Sequence, residues 1–533
     1  MYDNIPAEKF SFTTKNDLHH DSKFDTKPVS YFQGAFRRFA KNKGAVVGGI
    51  VIAFLVLFAI FGPFFTPYNP KYYDQVFANV RPKMHLFENT NFWDGCREKS
   101  NVGYLAYIKD YALGLETGKD VIKNGEYEMS EDGKSFTYRY DTYYGVGFGS
   151  YKVISMDEFN DIQRYQNETG IQVLYPVVAT KSRPTAKQDA NDANYWYKTQ
   201  TIDGKTWPVF DENGQLIANY RKDPAGSNNS LIAQYNSTRI EGEDGIWETI
   251  IVEDENGTHE ESVQYYYTYG LRKDGGVEVR TDYYEYYTYY HTQVQKDGID
   301  EPYFVFGTTS FGKDIFACLA YGARFSFLFA IAVAVANFIF GVIWGSIAGY
   351  FGGKIDLFME RFSEILGSVP TMIVITLLKY HLGAKLNPAL ILFIAFFATG
   401  WIGMAGTTRM QFYRFKNQEY VLAARTLGAK DWRIMFKHIF PNGLGTIVTS
   451  VALVIPSMIY SETNLSYLGI INLESGNTTS VGTLIASGQR EILFAPYGAL
   501  FPCLFLVLLM LSFNLFGNGL RDAFNPSLRG SED

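Results

Sequence analysis

The sequence predicts an all-α polytopic membrane bundle of six transmembrane helices with both termini in the cytoplasm, and an extracytoplasmic, β-rich α+β domain inserted after the first helix. Apolar runs of membrane-spanning length occur in two separated regions of the 533-residue chain, with a long polar block between them. Residues 71–302 carry 24 Lys and Arg against 38 Asp and Glu, a net charge of −14, whereas the remainder carries 24 against 17, a net charge of +7. We therefore expect the two parts to occupy different environments.

The first apolar run extends from Ala45 to Phe65 without a charge and is long enough to cross about 30 Å of hydrocarbon. A basic cluster stands directly before it, formed by Arg37, Arg38, Lys41 and Lys43. Because positive residues stay in the cytoplasm, the polar block is expected outside. A cleaved signal peptide fits poorly, since a long polar stretch comes first and no small-residue cleavage site follows.

Five further spans are predicted, near Phe325–Tyr350, Ile365–Leu378, Pro388–Met404, Gly443–Tyr460 and Gly498–Phe516. The loop 409–441 holds seven Lys and Arg against Glu419 and Asp431, whereas the loop 461–497 holds one arginine and three glutamates, which favours a cytoplasmic 409–441. The expected units are a cytoplasmic segment 1–43, a first transmembrane helix 44–66, an inserted domain 84–302, a five-helix core 303–518 and a cytoplasmic tail 519–533.

The second span contains Gly341, Gly345 and Gly349, which form two overlapping GxxxG spacings. Glycines four residues apart make a flat stripe on which another helix packs closely. Membrane helices are also rich in glycine without such packing. We interpret these three glycines as helix-packing residues.

The basic loop before the fifth span predicts a helix–turn–helix at the cytoplasmic face. Ala and Leu favour a helix through 419–427, and Gly428 is suited to end it. A second short helix is expected to start near Lys430 or Asp431 and to stop at Phe440, before Pro441. The pattern alone fits equally well a basic surface helix that rests on anionic lipid headgroups.

In this loop the spacing Ala-Ala-x3-Gly-x12-Pro resembles the signature of ABC-importer permeases. In that family the loop forms the coupling helix, which docks in a groove of the ATPase subunit. The resemblance implies that the coupling residues here are Glu419, Tyr420, Ala423, Ala424, Arg425, Gly428, Ala429 and Pro441. Leu422 and Phe440 depart from the Glu and Leu that the family often has, which weakens a charge contact at position 422.

Other motifs are similar to the C-type permeases of the oligopeptide, dipeptide and nickel branch, over roughly 31–83 and 303–529. They are Phe36-Arg-Arg-Phe, Phe61-Gly-Pro-Phe-Phe-Thr-Pro-Tyr-Asn-Pro70, Phe306-Gly-Thr-Thr-Ser-Phe-Gly-Lys-Asp-Ile315, Tyr321-Gly-Ala-Arg324, Leu465-Ser-Tyr-Leu-Gly469 and the segment from Asn514 to Arg529. The resemblance implies a multi-pass cell-membrane permease that imports oligopeptides or dipeptides, with nickel or another small solute as the alternative. It implies as partners a homologous second permease subunit, two cytoplasmic ATPase subunits that bind ATP and magnesium, an extracellular peptide-binding lipoprotein and membrane lipid, and no nucleic acid.

No catalytic, cofactor or metal site is predicted in this chain. Gly307-x4-Gly312-Lys313 has P-loop spacing, but Asp314 replaces the Ser or Thr that would bind magnesium, and the expected topology puts the motif outside. Three cysteines cannot form a disulfide framework, and the seven histidines show no metal-ligand spacing. A membrane sensor or adhesin is the competing class, but it would need a cytoplasmic output domain and only short tails flank the spans. A membrane-tethered enzyme would need a nucleophile–base pair, which no motif supplies.

The inserted segment is rich in tyrosine and is expected to fold as an α+β domain. Strands are predicted at Trp247–Val252, Ser262–Tyr269 and Asp282–Tyr290, and a hairpin at Pro208–Ile217. A helix is predicted at Met156–Gln166, capped by Ser155 with Glu158 three residues on. Tyrosine suits strands and acidity keeps an exterior domain soluble. A docking platform for the peptide-binding protein is the second interpretation.

Overall fold

The computed structural model describes residues 31–131, 135–146, 150–175, 177–178, 199–202, 205–208, 246–254, 257–265, 267–268, 270–271, 275–474 and 478–524. Its helices are α1 (Tyr31–Lys41), α2 (Lys43–Phe61), α3 (Tyr104–Thr117), α4 (Met156–Thr169), α5 (Tyr283–Tyr289), α6 (Ile315–Phe351), α7 (Gly353–Gly367), α8 (Thr371–Leu382), α9 (Pro388–Phe415), α10 (Glu419–Thr426), α11 (Asp431–Tyr467), α12 (Val481–Arg490) and α13 (Tyr497–Phe524). Its strands are β1 (Cys96–Gly103), β2 (Ile122–Met129), β3 (Ser135–Asp141), β4 (Ser150–Ile154), β5 (Leu174–Tyr175), β6 (Val177–Val178), β7 (Thr199–Ile202), β8 (Lys205–Pro208), β9 (Ile246–Asp254), β10 (Gly257–Tyr265), β11 (Tyr267–Thr268), β12 (Gly270–Leu271) and β13 (Val277–Thr281).

Among the described residues, five helices are long and apolar enough to cross a membrane: α2 with the short turn that extends it to Phe64, α6, α9, α11 and α13. Helices α7 and α8 together also pass as one broken span, with a bend of 69° between them. The expected third span, Ile365–Leu378, therefore straddles a break. Pro370 accounts for the break, because proline lacks an N–H donor and disfavours helical backbone in the residue before it. The prediction of a helical membrane bundle is confirmed.

Helices α6 and α9 pack closely along the three glycines of α6. A Cβ atom added at Gly341 would lie 2.7 Å from the carbonyl oxygen of Trp401, and one at Gly349 would lie 2.7 Å from Cβ of Phe412. A Cβ atom added at Gly345 would overlap the carbonyl oxygen of Ala405. The backbone of α9 therefore occupies the space that a side chain on α6 would need, as in other small-residue helix pairs of membranes.

The segment between α2 and α6 combines short helices with antiparallel strands. Strands β1, β3 and β2 form a three-stranded sheet in that order, and α3 contacts this sheet. A second sheet has the order β12-β13-β4, with β5 also paired to β13. Two hairpins, β7–β8 and β9–β10, complete the larger strand pairs in the described part.

Three local predictions for this segment have clear outcomes. Helix α4 starts at Met156 after Ser155, whose side chain accepts the N–H of Glu158, so the capped helix is confirmed. The strand pair predicted around 247–252 and 262–269 is present as β9 and β10, although β10 ends at Tyr265. The hairpin predicted at Pro208–Ile217 lies outside the described residues from position 209 onward.

The strand predicted at Asp282–Tyr290 is wrong, because these residues form α5 and a π-helical turn, Tyr290–Gln295. Asp282 caps the helix by accepting the N–H of Tyr284. The tyrosines of α5 then pack in two directions, since Tyr284 and Tyr287 join one core cluster and Tyr286 and Tyr289 join another. Burial on both sides outweighs the strand preference of tyrosine.

The inserted segment is built into one end of the bundle. Its residues Tyr143, Tyr284 and Tyr287 share a core cluster with Phe304 and with Ala317 in the first turn of α6. The same end carries a stacking contact between Trp93 and Phe501 of α13, with ring centroids 5.6 Å apart. The insertion therefore shares its core with the bundle.

We predict that Gly345→Val separates α6 from α9 and destabilises the protein by about 1–3 kcal/mol or more, because overpacking forces the backbones apart. Gly406→Ala on α9 is the matched control, since a Cβ atom there meets nothing within 4 Å. Thermal unfolding in detergent, followed by size-exclusion chromatography, measures the effect. A Gly345→Val protein as stable as the control would contradict the importance of this helix seam.

Candidate functional site

The loop that connects α9 to α11 contains α10, whose carboxyl end has a defined capping geometry. The N–H of Ala429 donates to the carbonyl oxygen of Ala424 at 3.1 Å, and the N–H of Gly428 donates to that of Arg425 at 3.0 Å. This pair of hydrogen bonds is the Schellman motif, which requires a left-handed residue after the helix. Gly428 supplies it with φ of +78°. The spacing from Ala424 to Gly428 therefore has a structural reason: Ala424 supplies an accepting carbonyl of the motif, and Gly428 supplies its left-handed residue.

A buried apolar cluster anchors α10 to the end of the bundle. Val421 is fully buried in one cluster with Tyr350 of α6, Phe412 of α9, and Ile434, Met435 and Ile439 of α11. The side of α10 that bears Val421 thus faces the bundle. Glu419, Tyr420, Ala423 and Arg425 are exposed, and Ala424 and Ala429 are half-buried.

Polar contacts fix the second arm of the loop to α6. The hydroxyl of Tyr350 donates to Oδ1 of Asp431 at 2.6 Å, and the guanidinium of Arg425 lies over the Tyr350 ring at 5.7 Å from its centroid. The ammonium of Lys416 donates to the carbonyl oxygen of Gly349 at 3.0 Å. The last turn of α6 therefore contacts the loop on both sides of α10.

The expected helix stop at Phe440 is wrong, because α11 runs without interruption from Asp431 to Tyr467. A π-helical turn, Ile434–Ile439, precedes Pro441, which lies in the first turn of the following α-helical stretch. In a regular α-helix the proline ring would clash with the carbonyl four residues earlier, and proline has no N–H to donate to that carbonyl. The wider π-helical turn leaves room for the ring. The short arm of the loop and the fifth span are therefore one continuous helix.

The exposed surface of the loop is apolar and basic. Leu427 and Trp432 are 87% and 64% exposed, and Tyr420 and Leu422 are also exposed. Partial burial raises the pKa of the Tyr420 phenol, so this side chain stays neutral at physiological pH. Exposed apolar side chains rimmed by polar residues are typical of surfaces that bind a protein or a membrane. We call the exposed residues of 419–433 the loop surface.

The sequence reasoning missed an ion-pair network beside the loop. Arg409 of α9 binds Asp356 through Nε and Nη2 at 2.5 and 2.7 Å, and it binds Glu360 through Nη1 and Nη2, both at 2.8 Å. Tyr413 also donates to Asp356. The signal was present in the spacing, because Asp356 and Glu360 lie four residues apart and therefore on one face of α7, where a single cation can pair with both. The network ties the broken span to α9.

The glycine motif with P-loop spacing serves the opposite end of the bundle. Gly307 and Gly312 adopt φ of +75° and +70° and pack against the backbone of Val80 and Asp74. Lys313 pairs with Glu474 at 2.6 Å. In the described part of the chain, no group of three or more His, Cys, Asp or Glu is arranged to hold a metal ion.

Comparisons with known proteins agree with this architecture. Residues 341–530 match the family described as "Binding-protein-dependent transport system inner membrane component", and residues 30–82 match "N-terminal TM domain of oligopeptide transport permease C". Residues 83–340, which include the insertion, lie outside both matches.

Several curated relatives are similar over about two fifths of this chain. The oligopeptide transport system permease protein OppC of Bacillus subtilis is 43% identical over 224 residues, which are 42% of this chain and 72% of that protein. The dipeptide transport system permease protein DppC of the same organism is 40% identical over 225 residues, which are 42% of this chain and 69% of that protein. Among solved structures, the inward-facing MetNI methionine ABC transporter aligns with 39% of this chain and 96% of its own at 14% identity and a TM-score of 0.31. The chain belongs to the family of binding-protein-dependent transport system inner membrane components, the non-enzymatic permease subunits of ABC importers.

Proposed function

We propose that this chain is a C-type permease subunit that carries oligopeptides or dipeptides across the cell membrane, energised by ATPase subunits on separate chains. The observation that carries the proposal is the loop surface, an exposed helix stop at one end of an apolar helical bundle. The names of the relatives, oligopeptide and dipeptide permeases, favour a peptide cargo over nickel or another small solute. A sensor or adhesin has no comparable use for such a loop.

The proposed complex contains a homologous second permease subunit, two cytoplasmic ATPase subunits and an extracellular peptide-binding lipoprotein. The loop surface has the right chemistry for the ATPase contact, because its anchors Val421 and Asp431 are held by the bundle while Leu427 and Trp432 remain largely exposed. A partner that moves the loop also moves α11, which is continuous with it.

The bundle separates the loop surface from the insertion. Helix α6 begins beside the insertion, contacts the loop with its last turn and spans 37 residues, which correspond to about 55 Å of helix. The proposed domain division follows: 1–43 and 519–533 are cytoplasmic, 44–66 is the first span, 84–302 is the extracellular domain, and 303–518 is the permease core.

A labelling experiment tests this orientation. A cysteine at the exposed Glu126 of the insertion should react with a membrane-impermeant maleimide on intact cells, whereas one at the exposed Asn417 of the loop should react only after permeabilisation. The native cysteines are replaced first. Labelling of position 417 on intact cells would overturn the orientation.

The Schellman geometry gives a coupling prediction. Gly428→Val places a β-branched residue at φ of +78°, which costs about 1–2 kcal/mol and shifts the loop surface. We expect the reconstituted complex to transport at least tenfold less peptide per ATP hydrolysed, with the protein still in the membrane. Gly428→Asn is the matched control, because asparagine tolerates left-handed backbone, and it should retain most of the coupling. Normal uptake by Gly428→Val would argue against a coupling role for this turn.

The proposed role of the insertion is to dock the loaded binding protein. Removing all of it is a poor test, because Tyr143, Tyr284 and Tyr287 share a core with the bundle. Changing the surface charge of the insertion tests the docking role without disturbing that shared core. Segment 71–302 has a net charge of −14, and an acidic rim accelerates association with a basic partner in a salt-dependent way.

We expect Glu126→Lys combined with Glu128→Lys to lower uptake several-fold at low binding-protein concentration, since both carboxylates are exposed on β2. Uptake at saturating binding protein should be unchanged, and added salt should shrink the difference as it screens the charges. The double Gln variant is the control for charge removal without reversal. Identical concentration curves for all three proteins would eliminate the docking role.

A further inference from the structure

A small cavity lies between α6, α9 and α11, about halfway along the bundle helices. Its volume is about 120 Å³, and its walls include Asn337 of α6, Gly400, Gly403 and Thr407 of α9, and Ser450 of α11. Every polar group in this set is neutral. The cavity differs from the loop surface in place and in chemistry, and the coupling proposal does not use it.

Asn337 is the unusual residue of this cavity. Its side chain is 2% exposed, and neither Oδ1 nor Nδ2 has a hydrogen-bond partner within the described residues. Buried side-chain amides in proteins are almost always paired, because an unpaired donor or acceptor keeps the full cost of losing water. Both atoms of the Asn337 amide are therefore available to hydrogen-bond a group that enters the cavity.

The backbone of α9 makes room for this amide. A Cβ atom added at Gly400 would overlap Nδ2 of Asn337. Gly403, one turn further, is exposed and has nothing within 4 Å of an added Cβ, so the cavity opens beside it. Gly400 thus gives the amide room, and Gly403 leaves open space at the cavity wall.

The helix α11 presents a polar face at this opening. Thr446 and Ser457 are exposed, Ser461 is half-buried, and Ser450 is half-buried at the cavity wall. Ser450 donates to the carbonyl of Thr446 at 3.0 Å, and Ser461 donates to that of Ser457 at 2.8 Å, so their oxygens keep free lone pairs. The exposed face of α13 is instead apolar, with Leu500, Leu504, Val507 and Leu511. Lipid suits α13, whereas the face of α11 suits water or a polar cargo.

We propose that Asn337 and the cavity wall bind a neutral hydrogen-bonding group, which is either a backbone amide of the moving peptide or water in its place. An asparagine side chain offers one acceptor and a donor pair, the complement of the N–H and C=O of a peptide unit. At about 30 Å³ per water, the cavity holds a few waters or one peptide unit, and it excludes a large side chain. Binding of a peptide backbone in this cavity rests on the proposed function, whereas binding of water does not.

The first test replaces the amide with an apolar side chain of similar size. Asn337→Leu should lower uptake of radiolabelled tetraalanine by the reconstituted complex about tenfold, the value of one lost hydrogen bond. The thermal unfolding midpoint of the Asn337→Leu protein should not rise, because the substitution also removes the hydrogen bonds between Asn337 and the group in the cavity. Ser346→Ala is the matched control: this fully buried serine on α6 also has an unpaired hydroxyl but does not line the cavity, so uptake should be unchanged.

The second test separates the two occupants. Ser450→Cys, in a chain whose native cysteines are replaced, should react with a cationic methanethiosulfonate from water, whereas Leu504→Cys on the apolar face of α13 should not. Slower reaction at position 450 during tetraalanine transport assigns the site to the peptide backbone, and an unchanged rate assigns it to water. The inference is overturned if position 450 does not react and Asn337→Leu is more stable with normal uptake, which would show a dry cavity. That outcome leaves peptide transport itself, and thus the proposed function, intact.

Discussion

The close approach of α6 to α9 is the contact on which the rest of the bundle depends. Gly341, Gly345 and Gly349 remove side chains from one helix so that the backbone of the other fits against it. The same seam positions Asn337 beside Gly400 in its middle and Tyr350 beside the loop at its end. Because packed backbones cannot slide without opening a void, the seam transmits displacement as a rigid unit.

Helix α11 complements this rigid pair because it is held at both ends. At the loop end, Asp431 accepts the hydroxyl of Tyr350. At the other end, the fully buried carboxylate of Glu462 accepts three serine hydroxyls, from Ser326, Ser466 and Ser480, at 3.3, 3.0 and 2.7 Å. Displacement between these anchors must be absorbed where the helix is weakest, at the π-helical turn and at Pro456.

Local sequence signals predicted the elements whose causes are local. The apolar runs predicted the helical bundle, and Ser155 predicted the start of α4. The Ala-x3-Gly spacing matched the end of α10, where two backbone hydrogen bonds account for the spacing. Elements decided by tertiary contacts were predicted wrongly. The tyrosines of α5 have strand propensity, but they form a helix because it buries them on two sides. Pro441 does not end its helix, because a π-helical turn precedes it.

The candidate site followed the same division. The residues of α10 were predicted from their spacing. The roles of the Arg409 network and of Asn337 depend on which helices pack against each other, and a single sequence does not show this. Asn337 is a single polar residue in an apolar stretch of α6, and Asp356 is a carboxylate of the broken span; both are costly in a membrane unless a partner is present. The partner of Asp356 comes from a helix distant in sequence, and the proposed partner of Asn337 enters the cavity from outside the chain.

The distribution of charge along the helices bears on the range of peptides that the proposed transport would accept. Charged groups of the spans concentrate at the loop end, where Arg409 is neutralised by Asp356 and Glu360. The polar side chains of the cavity and of the α11 face between Thr446 and Ser461 are hydroxyls and one amide, and none of them is charged. A charged wall would favour peptides with the opposite side-chain charge and repel the others. A neutral wall that pairs with the backbone treats peptides of different sequence alike, because every peptide carries the same N–H and C=O groups.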